Sequence, residues 1–172
     1  MEFRKSTKSD IKEIINIIEE AQNYFKENNI DQWQNGYPNE ESIIKDIEGG
    51  ESYVLLKNNK IIATAYLSFV EESDYDVIYD GNWISNGDYA VVHRVAVSGN
   101  IKGQGIAGDL FRYLEKICLE SNINHIKIDT HRQNKSMQKF LTKNGFEYCG
   151  VIYLKDNSER IAFEKKLEWK II

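Results

Sequence analysis

Two groups of residues in this 172-residue chain have the types and spacing to do chemistry. The first is Gly103-Gln104-Gly105-Ile106-Ala107-Gly108, which spells G-x-G-x-x-G. Asp129 follows 21 residues after Gly108, about where a dinucleotide-binding turn keeps its ribose-binding acid. The second is His93, inside the apolar run Asp88 to Val97 (DYAVVHRVAV). An imidazole with an ordinary pKa of about 6.5 can exchange a proton near neutral pH. The glycine spacing argues against a nicotinamide site. A dinucleotide turn puts its first glycine directly after the strand, whereas Ser98 to Lys102 separate Val97 from Gly103. Only 43 residues follow Asp129, and they end in a hairpin pattern rather than further parallel βαβ units. A P-loop fails too, because Gly108 is followed by Asp109-Leu110 and no lysine supplies the countercharge for a β- or γ-phosphate. Three glycines and Ala107 still exceed what entry into a helix needs. Small side chains let backbone approach a ligand, and N–H groups at a helix start gather on phosphate oxygens, so the favoured reading is an anion-binding loop.

The elements that must position these residues follow from periodicity. Residues 2–6 read as a strand. Ser9-Asp10 caps a helix whose Ile11, Ile14, Ile15, Ile18, Ala21 and Phe25 keep one face. Asn28 to Asn39 is turn-rich yet holds Trp33 and Tyr37, and Pro38 leads into a second helix ending at Gly49-Gly50. Ser52–Lys57 and Lys60–Val70 form a hairpin about Asn58-Asn59. Asp88–Val97 is the strongest strand, the helix after the glycine loop runs to about Ser121, and Asn124–Thr130 is the next strand. Asn134–Asn144 is a short helix, and Phe146–Leu154 and Arg160–Leu167 close the chain as two strands. This predicts a mixed α/β sheet in a single domain over residues 1–172, mostly antiparallel with one parallel βαβ crossover.

Composition narrows the partners. A chain with 41% hydrophobic and 28% charged residues can bury its own core. Its net charge of −5 offers no general field for nucleic acid or an anionic membrane, so neither is expected as a partner. No apolar segment suits a signal peptide or a membrane span, which predicts a cytoplasmic protein. Cys118 and Cys149 lack CxxC spacing, and His93, His125 and His131 form no ligand pattern, so no metal is expected.

From Asp88 to Leu167 the residues resemble the GCN5-related N-acetyltransferases, which transfer an acetyl group from acetyl-CoA. Lys102-Gly103-Gln104-Gly105-Ile106-Ala107 fits that family's loop of Arg or Gln, two free positions, Gly, one free position, then Gly or Ala, with lysine in the first place. HRVAV looks like its fourth strand. The resemblance implies that backbone at Val95, Ala96 and Val97 bonds the pantetheine arm and that a bulge opens the strand toward its neighbour. Asn134, Met137 and Gly145-Phe146 match a later pattern, but its aromatic position is Leu141, with Phe140 adjacent. Many members keep a tyrosine there to protonate the departing thiolate. The D-Q-W and G-Y-P loop in the N-terminal half looks like a subset of bacterial members.

The resemblance therefore implies the GNAT-like acyl-CoA N-acyltransferase fold and acetyl-CoA as donor. Lys102 to Gly108, Asn134, Met137 and Phe140 join the strand backbone as coenzyme contacts. The acceptor is a primary amine of a small molecule, peptide or protein. A protonated amine must lose a proton before it attacks, and His93 is the candidate base. Tyr148, Tyr153 and His131 are candidates to return a proton to sulfur, of which Tyr153 is carried forward. Trp33, Tyr37 and Trp83 are expected to wall the acceptor side. Two alternatives accompany this reading: a non-catalytic acyl-CoA-binding module of the same fold, which the absence of tyrosine at Leu141 favours, and a homodimer through the last strands.

Overall fold

Among the described residues, seven strands and four helices make the frame: β1 (Glu2–Lys5), α1 (Ile11–Glu27), α2 (Glu40–Glu48), β2 (Ser52–Lys57), β3 (Lys60–Ser68), β4 (Ala90–Val97), α3 (Ile106–Glu120), β5 (His125–Thr130), α4 (Lys135–Lys143), β6 (Glu147–Tyr153) and β7 (Glu159–Lys166). This is a computed structural model, and it describes residues 1–169. The strands form one mixed sheet in the order β1-β2-β3-β4-β5-β7-β6. Neighbours β1/β2, β2/β3, β5/β7 and β6/β7 are antiparallel, and β4/β5 is the parallel pair that the βαβ pattern predicts.

Local chemistry explains the boundaries. Asn58 and Asn59 have φ of 52° and 60°, so both central residues of the β2–β3 hairpin occupy the left-handed region that a two-residue turn of matching twist demands. Lys57 therefore faces Lys60. At the start of α1, Asp10 is the third residue of a capping box on Thr7 and also grips Arg4 through bonds of 2.7 and 3.0 Å. That ion pair and the Thr7 amide hold the Asp10 carboxyl below the usual carboxylate range, against its burial. α2 starts two residues after Pro38 because Asn39 is its cap, exchanging bonds with Ser42.

The described residues form two compact units: 1–67 with 93–114, and 68–92 with 115–169. In the first, Ile14, Ile17, Ile18 and Ala21 of α1 meet Ile43 of α2 and Val54, Leu56, Ile61 and Ala96 of the strands. Burying each large aliphatic side chain here contributes about 1.5–3 kcal/mol. In the second, Tyr75, Tyr89, Val91, Ile152 and Ala162 form a cluster with Trp83 packed against it. The acidic stretch before β4 belongs to that core: a short 3-10 turn at Ser73–Tyr75 buries the Tyr75 ring, and Tyr79 bridges to Val151. No helix among the described residues is long and apolar enough to cross a membrane.

Candidate active site

β4 carries the site, and its regularity fails where the chemistry begins. Ala90, Val91 and Val92 are fully buried, but Arg94 has φ of 50°, a conformation that costs a residue with a side chain about 1–2 kcal/mol. The alternation that would put His93 and Val95 on one face does not continue through it. The regular strand geometry therefore breaks at Arg94, in the segment where a bulge is expected, and three contacts hold the residue there. The Arg94 guanidinium makes a two-bond pair with Asp46 of α2, at 2.6 and 2.7 Å. It donates to the Tyr37 hydroxyl at 2.5 Å and lies 4.3 Å from the Tyr66 ring centroid. Only 12% and 10% of the two charged side chains remain exposed. Burial pushes the Asp46 carboxyl up from its ordinary value, and the Arg94 bonds work against that push. His93 is half-buried, its ring stacked on Tyr66 at 5.8 Å and 25°.

Beyond β4 the chain enters the glycine loop from an anchored start. Ser98 donates to the Ile62 carbonyl at 2.9 Å, and the Gly99 amide donates to Glu20 of α1 at 2.5 Å. The Lys102 ammonium sits over the Tyr24 ring, 4.1 Å from its centroid. Gly103 and Gly105 then take φ of 81° and 78°, and a Cβ built on either would meet nothing within 4 Å. Backbone conformation demands these glycines, and the space they leave is open. Lys102 to Gly105 are exposed, and α3 begins at Ile106, so the second half of the G-x-G-x-x-G motif is the first helical turn. The amides of Ile106, Ala107 and Gly108 have no acceptor within the helix and carry the positive end of its dipole. Asp109, the acid in that turn, is paired with Arg112. An outer phosphate chain is what such a loop can hold.

The first unit contains His93, Val95 to Val97, the loop, Trp33 and Tyr37. Trp33 packs edge-on against Phe25 at 5.5 Å, as a satellite of the core. Tyr37 is 42% exposed and lines a hollow of about 320 Å³ with Asn39, Ser42, Asp46 and Arg94. Trp83, Asn134, Met137, Phe140 and Tyr153 belong to the second unit. There Trp83 donates its ring N–H to the Tyr75 carbonyl at 2.8 Å and covers the Lys127 ammonium. Asn134 caps α4, accepting from the Met137 amide at 3.1 Å. Met137 and Phe140 are half-buried, and Leu141 is fully buried. Tyr153 is 45% exposed and meets Tyr79 edge-on, Tyr148 is 53% exposed, and His131 accepts from the Gln133 amide. Asp129, the acid of the dinucleotide pattern, accepts from the Tyr75 hydroxyl at 2.6 Å and pairs with Arg160, a structural use.

Arg94, Asp46 and Tyr66 were not singled out by the sequence reading. An arginine inside DYAVVHRVAV was the available signal, since a charge in a buried strand needs a partner. Among the described residues no group of three or more His, Cys, Asp or Glu could hold a metal ion.

Comparison with known proteins follows the same lines. A profile of the acetyltransferase (GNAT) family matches residues 15–146. A GNAT-family acetyltransferase structure from Streptococcus agalactiae 2603 shares 32% identity and a TM-score of 0.90, over 98% of this chain and 96% of that one. A putative acetyltransferase from Staphylococcus aureus Mu50 shares 28% identity and a TM-score of 0.73, over 98% and 100%. The PaiA N-acetyltransferase of Thermoplasma acidophilum, solved with coenzyme A, shares the fold at 19% identity and a TM-score of 0.72, over 96% and 98%. No curated protein sequence matches.

Proposed function

The chain belongs to the GNAT family of acetyltransferases, whose members use acetyl-CoA and act on amine acceptors, and from that premise we propose how its own residues do this work. It is an acetyltransferase, and the family supports turnover over the acyl-CoA-binding alternative. The proposed acceptor is a primary amine of a small molecule, peptide or protein, acetylated by direct attack, with residues 1–172 acting as one cytoplasmic domain.

The single observation that carries the proposal is the loop. Two exposed glycines in the left-handed region lead directly into unpaired amides at the start of a 15-residue helix. Those amides, with Lys102 at the loop entrance, suit the coenzyme's pyrophosphate. Bound acetyl-CoA supplies an activated thioester carbonyl. Backbone at Val95, Ala96 and Val97, freed from regular alternation by the break at Arg94, is proposed to bond the pantetheine arm and to offer an N–H to the oxyanion. Asn134, Met137 and Phe140 keep their coenzyme roles on the family resemblance alone.

His93 is the proposed base. It takes the proton that the acceptor ammonium must lose, directly or through water, so that the neutral amine can form the new C–N bond. The C–S bond breaks to a thiolate, and Tyr153 is the proposed donor of its proton. Arg94 touches no reacting atom in this scheme. It positions His93, because both pack on Tyr66 and Arg94 ties the strand to α2 and Tyr37. Trp33, Tyr37 and Trp83 are the proposed acceptor contacts.

Thermal unfolding with acetyl-CoA, CoA and NADH in parallel tests the coenzyme assignment. A ligand at one hundred times its dissociation constant adds about 2.7 kcal/mol, a rise of several degrees for a chain of this size. Acetyl-CoA and CoA should raise the midpoint while NADH leaves it unmoved; a rise with NADH alone would overturn the assignment.

A further inference from the structure

We propose that the second unit carries a separate site for a nucleoside polyphosphate, in the hollow between the outer face of α4 and strands β6 and β7. The hollow measures about 670 Å³, within the range of about 300–1,000 Å³ typical of small-molecule sites. Arg132, Lys135, Lys139 and Lys143 line it, with the rings of Tyr148 and Phe163 among its walls. A chain with net charge −5 thus gathers four cations around one cavity.

Lys143 lies in the last turn of α4, where a cation suits the dipole, but the start of the row and its spacing work against the helix. Lys135 is the first residue of α4, at the positive end of the dipole, where an anion is preferred. Lys135, Lys139 and Lys143 stand four apart, so each neighbouring pair is a destabilising like-charge i,i+4 contact. No acid in the first turn of α4 offsets them. Arg132 is paired with Glu159 at 2.5 Å, but among the described residues no ion pair is recorded for the three lysines. A bound polyanion would satisfy all three ammonium groups at once and remove the conflict with the dipole.

The row's length and its aromatic wall select the class. At 1.5 Å per residue, Lys135 to Lys143 span roughly 12 Å, enough for a phosphate chain and its sugar. Tyr148 is 53% exposed and is held edge-on by Phe163 at 5.9 Å and 80°, leaving ring surface free for a planar base. Base-on-aromatic stacking strengthens binding whichever base is presented. Phosphate alone would need no such ring.

Calorimetry of the full-length protein with ATP, inorganic tripolyphosphate and adenosine tests the proposal, using Lys139→Glu, Lys139→Gln, Tyr148→Ala and Gly105→Asp variants. All but the last change exposed side chains, and thermal midpoints verify folding. ATP should bind the wild type more tightly than tripolyphosphate. Lys139→Glu should weaken ATP at least tenfold and Lys139→Gln severalfold; Tyr148→Ala should weaken ATP but not tripolyphosphate. Gly105→Asp should leave ATP binding intact, which separates this site from the coenzyme loop. Unchanged ATP affinity in Lys139→Glu, or its loss in Gly105→Asp, would overturn the proposal. So would tripolyphosphate binding as tightly as ATP, which would make the hollow a plain anion site. The outcome is independent of whether acetyl-CoA binds the loop.

Discussion

The break at Arg94 and the loop at Gly103 to Gly105 lie within a dozen residues of each other, and both place backbone in the left-handed region. They do so by opposite means. Arg94 is a large charged residue in a costly conformation, held by Asp46, Tyr37 and Tyr66. Gly103 and Gly105 pay no steric penalty and have almost nothing against them. The difference separates two tasks: backbone that must keep its shape before any ligand arrives is over-determined by neighbours, while backbone that must be approached closely is left bare.

The comparison breaks most sharply at Gly105. Gly105→Asp adds a Cβ at φ of 78° and a carboxylate where an anion is proposed, with no neighbour to collide with. It should abolish the CoA-dependent thermal shift while the far-ultraviolet circular dichroism stays native; retained CoA affinity would sink the loop assignment. Arg94→Ala should behave in the reverse way, as a stability lesion first. It strands Asp46 as a buried carboxylate and should cost about 3–5 kcal/mol in denaturant unfolding. A loss below about 1 kcal/mol would show that the break does not depend on its partners. Arg94→Lys keeps the charge but not the two-bond geometry, so it should recover only part.

His93 sharpens the contrast, since it sits beside the clamp yet is assigned to chemistry. His93→Ala should lower turnover at neutral pH by about 10²-fold or more with little effect on coenzyme affinity. An unchanged rate and pH profile would make it a structural residue stacked on Tyr66. The smallest expected effect lies at the ion pair that Arg4 makes with buried Asp10. Asp10 has its pKa lowered in the fold, so its pairing contributes stability above the unfolded value of about 3.9, and that contribution disappears as pH falls through the folded value. Arg4→Met should therefore lose about 1 kcal/mol at pH 7 and less at pH 2. Equal losses at both pH values would assign the effect to packing.

Much of this was legible in the chain. Asn58-Asn59 announced its hairpin, the isoleucines of α1 announced their face, and the cluster of glycines announced an irregular loop before α3. Residues whose meaning depends on distant partners were not legible. Asp46 follows Lys45 on an amphipathic helix and reads as solvated, yet Arg94 from 48 positions away draws it into the interior. Glu164 has no exposed surface and accepts from the Ile84 amide at 2.7 Å, a use that nothing in its own segment suggests. The three lysines of α4 were readable as a helical row, but only the fold shows which hollow they border. Cysteine spacing pointed to structural thiols, and the fold agrees: burial pushes Cys118 up to about 12 and Cys149 up to about 11.

The order of the last three strands bears on how the protein is made. β7 lies between β5 and β6, pairing with both, so those two strands share no ladder until residues 159–166 exist. A ribosome adding roughly 5–20 residues per second must deliver β5, α4 and β6 well before the strand that joins them. The nascent second unit therefore waits with open strand edges until β7 emerges. A stalled or clipped polypeptide ending before Glu159 would expose those edges to other strands, making it a substrate for chaperones and proteases rather than a weaker enzyme.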